Sequence, residues 1–398
     1  MKCKITGKLI KPFMSFGKMP MANGFLKKNQ FKKEFFYKLE VGFNKENYLF
    51  QVNDHPNSKK IFTNQYPFFT NKSEYMVSHF KKFFYWLKKN YLNKNDKIIE
   101  IGSNDGTFAN FFRKNNYNIV GFEPSSNVAA FAKKKKIKII NKFFNFKNVS
   151  KLKNYKRKTN LICAANVICH VPNLKDLIRS INFLLSDNGF FIFEEPYLGS
   201  MFKKISYDQI YDAHVFMFSL HSVKAIFKKF NFDLVDAIPQ KSHGGSMRYI
   251  IARKNKKKIS YRISKLLAKE KIQKLNNIKS CIIFKKNCEK SRDKFVKKVK
   301  ELKKKNKKIC AYAASAKSTT ALNYCKLDSQ MIEYVADSTH EKIGKYTPGT
   351  HIPIVSIDHF KKNFCDYTIL NSWNHKKEIL SKERDYIRKG GKFISHVK

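Results

Sequence analysis

The sequence has few acidic residues, no C-x-x-C pair and no long apolar run, and each absence excludes a class of protein. Only 30 Asp and Glu stand against 81 Lys and Arg. The eight cysteines are scattered, a spacing that predicts neither a disulfide framework nor an intact zinc site. No run approaches the roughly 18 apolar residues of a membrane span, and the first residues lack a signal peptide's apolar stretch. We expect a soluble cytoplasmic protein with reduced thiols and no membrane partner.

The formal net charge of +51 raises the possibility of nucleic-acid binding. The positive charge is mostly lysine, however, and lysine runs occur throughout the chain, for example at 133–136 and 303–308. Arginine would be preferred for bidentate contacts with phosphates or bases. A skew toward Lys, Asn, Ile and Phe is typical of an AT-rich genome. We therefore expect mostly solvated lysines, some of which attract an anionic substrate, and no nucleic-acid partner.

Three segments of different pattern divide the chain. Residues 1–70 are irregular and rich in proline, with a strand predicted by the alternation at 35–43. Residues 71–255 begin with apolar residues at helical spacing and continue with alternating strands and helices. Residues 256–398 begin with a lysine-rich helical stretch, which a second strand–helix series follows. We predict an N-terminal lobe, a central domain and a smaller C-terminal domain with these boundaries.

The strand–helix alternation predicts the fold class. The candidate strands of the central domain are KIIEI, NIVGF, IKII, NLICAAN, GFFIFEE and MRYIIAR. This βαβ rhythm predicts a doubly wound, Rossmann-like parallel sheet that binds its ligand at the carboxyl ends of the strands. The candidate strands of the smaller α/β domain are KICAYAAS, IEYVAD, DYTIL and KFISHV.

A glycine-rich turn follows the first of these strands. Residues 98–107 read IIEIGSNDGT, with Gly102 and Gly106 in the turn, and the next strand ends at Glu123. Glycines allow the backbone to approach a ligand closely, and an acid after the second strand can accept hydrogen bonds from ribose hydroxyls. The spacing E-x-G-x-x-x-G differs from the dinucleotide fingerprint and indicates S-adenosylmethionine. A turn with no ligand is the alternative for this motif taken alone.

Further segments extend this interpretation over almost the whole chain. They are PFMSFGKMPMANGF (12–25), GFEPSSNVA (121–129), ANVICHVPNL (165–174), YDQIYDAHVFMFSL (207–220), SHGGSMR (242–248), AYAASAKSTTALNYC (311–325), YTPGTHIPIV (346–355) and SWNHKKEIL (372–380). In this order they resemble the sugar C-methyltransferases that act on nucleotide-linked keto-deoxysugars. The resemblance implies S-adenosylmethionine as cofactor, a nucleotide-sugar as substrate, and methylation of a carbon beside a ketone through an enolate.

The resemblance also implies a cofactor site. Its predicted residues are Gly102, Asn104, Asp105, Gly106, Glu123, Asn141, Phe143 and Asn166. The first four lie on the turn that would hold the methionine part, where Asp105 could accept from the ammonium group. Asn141 and Phe143 follow the third strand, where the family contacts adenine. Asn166 follows the fourth strand, near the reactive methyl group, with a helix cap as the alternative role.

The family's catalytic motif is Y-H/D-E-H, with the last histidine as the base. Here it reads Tyr211, Asp212, Ala213 and His214, so alanine replaces the glutamate. We expect His214 to remove the α-proton, because imidazole titrates near working pH, and Tyr211 and His243 to position the enolate. A buried structural role is the alternative for His214. Because the glutamate is absent, O-methylation and a catalytically silent relative remain alternatives.

Substrate-binding residues are predicted around the same cleft. They are Glu195, Tyr197, Ser246, Arg248 and Lys317. Lys317 lies in AASAKSTT, where small residues and a helix N-terminus could hold a nucleotide diphosphate. The alternatives are a surface carboxylate for Glu195 and a plain strand–helix connection for AASAKSTT.

The N-terminal segment resembles the family's zinc-binding lobe without its ligands. Cys3 is present, but Thr6, Asn44 and Asn47 occupy the other three ligand positions. One sulfur cannot build a tetrahedral structural site, so we expect no metal. Aromatic packing is predicted to hold this lobe instead, by Phe13, Phe16, Phe25, Phe35 and Phe43.

Overall fold

The structure is a computed structural model that describes residues 1–53, 56–64 and 66–397. The strands are β1 (Pro12–Pro20), β2 (Phe36–Asn44), β3 (Leu49–Val52), β4 (Lys97–Ile101), β5 (Asn118–Phe122), β6 (Lys138–Ile140), β7 (Thr159–Ala165), β8 (Leu185–Pro196), β9 (Phe216–Met217), β10 (Phe232–Gln240), β11 (Ser246–Arg253), β12 (Ile309–Tyr312), β13 (Val335–Ala336), β14 (Ile354–Val355), β15 (Tyr367–Leu370) and β16 (Lys392–Ile394). The α-helices are α1 (Ser58–Ile61), α2 (Glu74–Asn90), α3 (Thr107–Lys114), α4 (Ser126–Lys134), α5 (Phe146–Val149), α6 (Leu174–Leu184), α7 (Leu198–Lys204), α8 (Leu220–Lys228), α9 (Tyr261–Ile272), α10 (Ile278–Lys304), α11 (Ala316–Tyr324), α12 (Ile357–Lys362), α13 (Lys376–Lys382) and α14 (Arg384–Arg388).

The N-terminal sheet is antiparallel and has the order β1-β2-β3-β9. Its fourth strand, β9, comes from the middle of the chain and pairs with β3, with Phe50 opposite Met217. Of the aromatic residues predicted to hold this lobe, Phe16 and Phe43 are buried, and Phe13 and Phe25 are partly buried against the same core. The prediction for Phe35 is wrong, since this side chain is 46% exposed.

The central sheet has seven strands in the order β10-β11-β8-β7-β4-β5-β6. Strands β8, β7, β4, β5 and β6 are parallel, which confirms the Rossmann-like prediction, while β11 and β10 are antiparallel additions. The sequence analysis did not predict β10. Pro239 lies in this strand, and proline, which lacks an N–H group, is tolerated there because β10 is an edge strand.

Helix α2 confirms the helical spacing that precedes the central sheet. Its buried residues are Met76, Phe80, Phe83, Phe84 and Leu87. They fall at positions i, i+4, i+7, i+8 and i+11, so they form one apolar face. This face packs in a cluster with residues of the sheet and of α3. Ser73 caps the helix by accepting from the backbone N–H of Met76.

The C-terminal sheet is parallel throughout and has the order β14-β13-β12-β15-β16. The four predicted strands are present, and the two-residue strand β14 is added at one edge. The lysine-rich stretch before this sheet forms α9 and α10, as the sequence predicts. The domain boundaries at residues 70 and 255 stay predictions. Among the described residues, no helix has the length and apolarity that crossing a membrane requires.

Candidate active site

A cavity of about 360 Å³ lies at the carboxyl ends of the parallel strands of the central sheet. This is where a doubly wound sheet binds ligands, because the loops leaving neighbouring strands diverge there. Of the sequence-predicted residues, those that line it are Gly102, Asn104, Glu123, Phe143, Asn166 and His243. The structure thus brings together residues that follow β4, β5, β6 and β7 with the turn before β11.

Glu123 is fixed at the end of β5 with its carboxylate on the cavity. One carboxylate oxygen accepts from the backbone N–H of Asn104 at 2.9 Å, and the other accepts from that of Ser125 at 2.8 Å. Burial raises the pKa of Glu123. Each oxygen keeps a further lone pair, so the carboxylate can accept hydrogen bonds from a vicinal diol.

The two motif glycines are required by the packing of the protein itself. Gly102 and Gly106 have φ angles of 72° and 74°, which favour glycine. A Cβ on Gly102 would collide with the side chain of Val167, and one on Gly106 would lie 2.5 Å from Cδ1 of Ile137. The expectation that Gly102 makes room chiefly for a ligand therefore needs correction, because the first obstacle is the neighbouring loop.

Asp105 does not line the cavity, although the sequence suggested it as an acceptor for the cofactor's ammonium group. It is fully buried, and one oxygen accepts from the backbone N–H and the hydroxyl of Thr107 at 3.0 and 2.6 Å. Its other oxygen accepts from the backbone N–H of Asn71 at 2.8 Å. Asp105 therefore holds Thr107, the first residue of α3, and residue 71 in place, and its contact with the ammonium group stays a prediction without support in this geometry.

Glu100, the acid that opens the glycine motif, is on the cavity wall. It is 4% exposed, and its Oε2 has no hydrogen-bond partner among the described residues. Burial, with repulsion from Glu123 and Asp105, raises the pKa of Glu100 to about 8. A buried carboxyl group with one oxygen left without a partner is suited to receive a cation. The signal in the sequence was the acid in E-x-G-x-x-x-G, to which no role was assigned.

The covering segment, by which we mean the described residues of 57–72, contributes one wall of the cavity. Asn104 holds it: its amide donates to the carbonyl of Phe68 at 3.0 Å and accepts from the backbone N–H of Thr70 at 3.0 Å. The ring of Phe62 lies 6.4 Å from Phe143 and 5.9 Å from His170. This wall could not be predicted from the sequence, because the irregular pattern of the segment carries no signal of where it folds back.

Asn141 has a supporting position beside the cavity rather than on its surface. Its side-chain amide donates to the carbonyl of Glu123 at 2.7 Å and to that of Pro124 at 3.1 Å. It therefore fixes the turn that carries Glu123. The prediction that Asn141 contacts adenine has no support in this geometry, whereas Phe143 does line the cavity.

His214 and Tyr211 form a hydrogen-bonded pair. His214 is 6% exposed, and its Nδ1 lies 2.7 Å from the carbonyl oxygen of Gln209. Because a carbonyl only accepts, Nδ1 carries the proton, and Nε2 accepts from the Tyr211 hydroxyl at 2.6 Å. Burial lowers the pKa of His214 and raises that of Tyr211, so both groups are neutral.

His170 lies between this pair and the cavity. Its ring centroid is 5.1 Å from that of His214, and it lines the cavity, whereas His214 does not. The Nδ1 of His170 donates to the carbonyl of Ala213 at 2.6 Å. Asp212 cannot replace the missing glutamate, since its oxygens accept from the backbone N–H groups of Ala22 and Ala213 at 3.0 and 2.7 Å.

His243 reaches the cavity from a strained turn before β11. Its φ angle is 51°, and its Nε2 is buried without a hydrogen-bond partner among the described residues. The preceding Ser242 donates to Glu194 at 2.8 Å, and this carboxylate also binds His79 at 2.6 Å and Arg248 at 2.9 Å. These partners hold the pKa of Glu194 down, at about 2, against the opposing effect of burial. The buried ion pair thus anchors the turn that carries His243.

The other predicted substrate-binding residues of the central domain support the cavity wall from behind. Glu195 accepts from the backbone N–H groups of Val167 and Ile168 at 2.9 and 2.6 Å. Tyr197 donates to Glu270 at 2.9 Å. Ser246 is buried, as is Glu195. None of the four residues, Arg248 included, lines the cavity. Their hydrogen bonds hold the neighbouring segments of the cavity wall in place, and direct contact of these residues with substrate stays a prediction.

The N-terminal lobe does not fit a tetrahedral zinc ion. The four positions converge, since the Cys3 sulfur accepts from the Thr6 N–H at 3.4 Å and from the Asn47 amide at 3.5 Å. Asn44 in turn accepts from the backbone N–H of Asn47 at 3.1 Å. Hydrogen bonds around one thiol occupy the place where four metal ligands would be needed.

A second group of metal-ligand side chains lies beside the cavity. Ligand atoms of Cys169, His170 and His214 all lie within 4.8 Å of one another. Burial and the nearby Glu195 carboxylate raise the pKa of Cys169 well above its usual range, which opposes the thiolate that a metal needs. The absence of metal from this protein stays a prediction.

Three family models together match nearly the whole chain. Residues 3–62 match the model described as "Putative zinc binding domain", residues 72–237 match "Methyltransferase domain", and residues 241–397 match "C-methyltransferase C-terminal domain". The C-methyltransferase NovU of Streptomyces niveus is 26% identical over 384 residues, which are 96% of this chain and 91% of that protein. Over these segments the chain is similar to C-methyltransferases, and its activity is S-adenosylmethionine-dependent methyl transfer. It is an enzyme, and S-adenosylmethionine is its cofactor, as the glycine motif predicted.

Solved structures show more distant likenesses. The PH0226 protein from Pyrococcus horikoshii is 14% identical, with 47% of this chain and 94% of that chain covered and a TM-score of 0.38. Magnesium protoporphyrin IX methyltransferase from Synechocystis, solved with bound S-adenosylmethionine, is 10% identical, with 44% and 79% covered and a TM-score of 0.35. Likenesses at this level say nothing about the substrate of this enzyme.

Proposed function

We propose that this enzyme methylates a carbon beside a ketone in a nucleoside-diphosphate-linked deoxysugar. The observation that carries the proposal is the cluster of imidazoles at one end of the cofactor cavity, where His170 and His243 line the wall and His214 stands directly behind. Carbon methylation needs a base for the α-proton and donors for the enolate oxygen. The cluster supplies both types of group.

The cofactor, when bound, supplies an electrophilic methyl group. The residues of this chain that fit it are Glu123 for the ribose hydroxyls, Glu100 for the ammonium group, and Phe143 for the adenine ring. The backbone of the turn at Gly102 and the side chain of Asn166 complete this wall. All five line the same cavity, and the two carboxyl groups have free acceptor capacity toward it.

His214 is the proposed base. Its Nδ1–H is fixed on the Gln209 carbonyl, so Nε2 is the atom that can accept a proton. Tyr211 donates to this nitrogen, and His170 lies between the pair and the cavity. Proton removal by His214 therefore requires the Tyr211 hydroxyl to turn from Nε2 toward the substrate's carbonyl oxygen and the His170 ring to move aside. His243, whose Nε2 has no partner among the described residues, is the second group that can contact this oxygen.

Methylation of a sugar oxygen is the second candidate. The observation that favours it is the lowered pKa of His214, which makes this imidazole a weak base, together with the alanine at the position of the family's glutamate. A hydroxyl proton is more acidic than a proton beside a ketone, so a weaker base suffices. A relative that binds the cofactor without turnover is the third candidate, and it shares the same observation.

Two assays separate the candidates. Incubation of nucleotide-linked keto-deoxysugars with cofactor labelled in its methyl group shows which of them accept the label. Carbon methylation also releases the substrate's α-proton, so a substrate tritiated at that carbon loses tritium to water as the product forms, whereas oxygen methylation retains it. Methyl-labelled product that keeps its tritium would establish oxygen methylation, and no labelled product from any substrate would favour the silent relative.

The base is tested by His214→Asn. Loss of a general base costs about 10²–10⁴-fold in rate, so we expect turnover to fall in that range with cofactor affinity nearly unchanged. His340→Asn, which changes an exposed histidine in the same way, is the control. If His214→Asn turns over a confirmed substrate at the normal rate, His214 is structural, and His243 becomes the first alternative.

A further inference from the structure

Two lysines approach the ring of Trp373 without forming an ion pair. The ammonium of Lys204, at the end of α7, lies 5.4 Å from the ring centroid, and that of Lys317, in the first turn of α11, lies 5.1 Å from it. Lys204 donates to the carbonyl of Gly244 at 2.5 Å, and Lys317 lies 3.4 Å from the side-chain oxygen of Asn374. Among the described residues, neither ammonium forms a salt bridge.

Asp208 is the carboxylate that attracts Lys317, and it also has other partners. Asp208 accepts from the indole N–H of Trp373 at 2.7 Å and faces His396 at 3.4 Å. Burial lowers the pKa of Lys317; the attraction of Asp208 opposes this effect, and repulsion by Lys204 adds to it. Two ammonium groups that are partly withdrawn from water and incompletely neutralised favour binding of an anion.

This lysine pair adjoins the end of the cavity where the chemistry is proposed. A Cβ on Gly244 would collide with the ring of Trp373, so this ring packs closely on the turn. The residue before Gly244 is His243, which lines the cavity. In a nucleotide-sugar the diphosphate is bonded directly to the sugar ring. A sugar held against His243 therefore brings its diphosphate within reach of Lys204 and Lys317.

The N-terminus of α11 itself is a poorer anion site than the sequence suggested. Its cap is satisfied internally, since the hydroxyl of Ser315 accepts from the backbone N–H of Ser318 at 3.2 Å. The backbone N–H of Ala314 in the preceding loop donates to Asp337 at 2.7 Å, which places a negative charge at this turn. The favourable feature of this helix end is the Lys317 side chain rather than the free amides.

We propose that Lys204 and Lys317 bind the diphosphate group of the substrate, with Trp373 fixing the distance between the lysines and the His243 turn. The statement that this diphosphate carries a sugar rests on the proposed function. The affinity for a nucleoside diphosphate does not, because it follows from the two ammonium groups alone. Lys317 lies in a segment that already predicted a diphosphate site, whereas Lys204 lies 113 positions before it and carries no sequence signal of its own.

The test is calorimetric titration of the full-length enzyme, saturated with S-adenosylhomocysteine, with thymidine diphosphate and uridine diphosphate. Lys204→Gln and Lys317→Gln should each weaken binding about 10-fold or more, and the double variant about 100-fold, because each removes a charge-assisted contact. The control is Lys203→Gln, which changes the exposed neighbouring lysine and should leave binding as in the wild type. Affinity for the cofactor product should be the same in all four variants.

The outcomes separate this inference from the proposed function. If the wild type binds neither nucleotide, or if the double variant binds as the wild type does, the lysine pair is not the diphosphate site, whatever the enzyme methylates. If binding depends on the lysines but no nucleotide-linked sugar is methylated at carbon, the anion site stands and the proposed function fails. If a substrate is methylated and the double variant keeps the same KM, the function stands and the anion site is overturned.

Discussion

Replacing Glu100 by glutamine should change how cofactor binding depends on pH. Burial raises the pKa of Glu100 to about 8, and its Oε2 has no hydrogen-bond partner among the described residues of the cavity. The carboxyl group is therefore mainly protonated in the free enzyme at pH 7. If it receives the ammonium group of S-adenosylmethionine, it must ionise, and binding releases its proton.

The size of the effect follows from this pKa. With a value of about 8, about 1% of Glu100 is ionised at pH 6 and about 9% at pH 7. Apparent cofactor affinity should therefore rise about ninefold over that unit, which corresponds to about 1.3 kcal/mol. The rise should continue toward pH 8 and then level off. The α-amino group of the cofactor itself loses its proton near pH 8, so the measurement belongs below about pH 7.5.

Calorimetry provides the assay. Titrations at pH 7 in two buffers with different ionisation enthalpies give the net number of protons released. We expect about 0.8 per cofactor bound, because Glu100 releases about 0.9 and the cofactor's amino group takes up about 0.1. Glu100→Gln should abolish this release and flatten the rise of affinity between pH 6 and 7. The fold should persist, because glutamine resembles the protonated acid that the free enzyme prefers. Asp176→Asn changes another carboxyl group on the cavity and should retain the release.

The reasoning would be refuted by a wild-type enzyme that releases no proton between pH 6 and 7.5. Persistence of the full release in Glu100→Gln would also refute it, and would assign the proton to another group. Glu123, whose pKa is also raised by burial, would then be examined next.

Two further predictions concern the fold. Gly102→Val should lower both the melting temperature and the cofactor affinity, because the side chain would collide with Val167 at a φ angle of 72°. A folded variant with an unchanged melting temperature and unchanged affinity would contradict this. Purified enzyme should contain no stoichiometric zinc, and a chelator should leave its melting temperature unchanged. If one zinc per chain survives dialysis, its loss in Cys169→Ser would locate it beside the cavity, and its retention would point to the lobe around Cys3.

The parts of the site that the sequence predicts well are those formed by local chain geometry. A strand, a glycine turn and the start of a helix lie within ten residues, and the next strand ends at an acid about twenty residues later. Because neighbouring parallel strands end on the same side of the sheet, Gly102 and Glu123 must lie close together there. Phe143 and Asn166 follow the next strands by the same rule, and both line the cavity. These positions needed only the periodicity of βαβ units.

The parts that the sequence predicts poorly depend on where distant segments pack. Asp105 looked like a ligand for the cofactor, but its oxygens are taken by α3 and by the covering segment. Glu100 stayed unassigned, because only burial without a partner distinguishes it from an ordinary strand residue. The role of a side chain at the carboxyl ends of these strands depends on which neighbouring groups form hydrogen bonds with it.

The fold class and the cofactor could be predicted from the sequence alone, because hydrophobic periodicity and short motifs act over tens of residues. Which groups share one environment depends on how distant segments pack in three dimensions. The tertiary structure places His170 beside His214 and brings Lys204 and Lys317 to the same indole ring, although neither pair shares a local motif. The physical reason is that burial and hydrogen bonding, which set the protonation and orientation of these groups, arise from contacts between segments far apart in the chain.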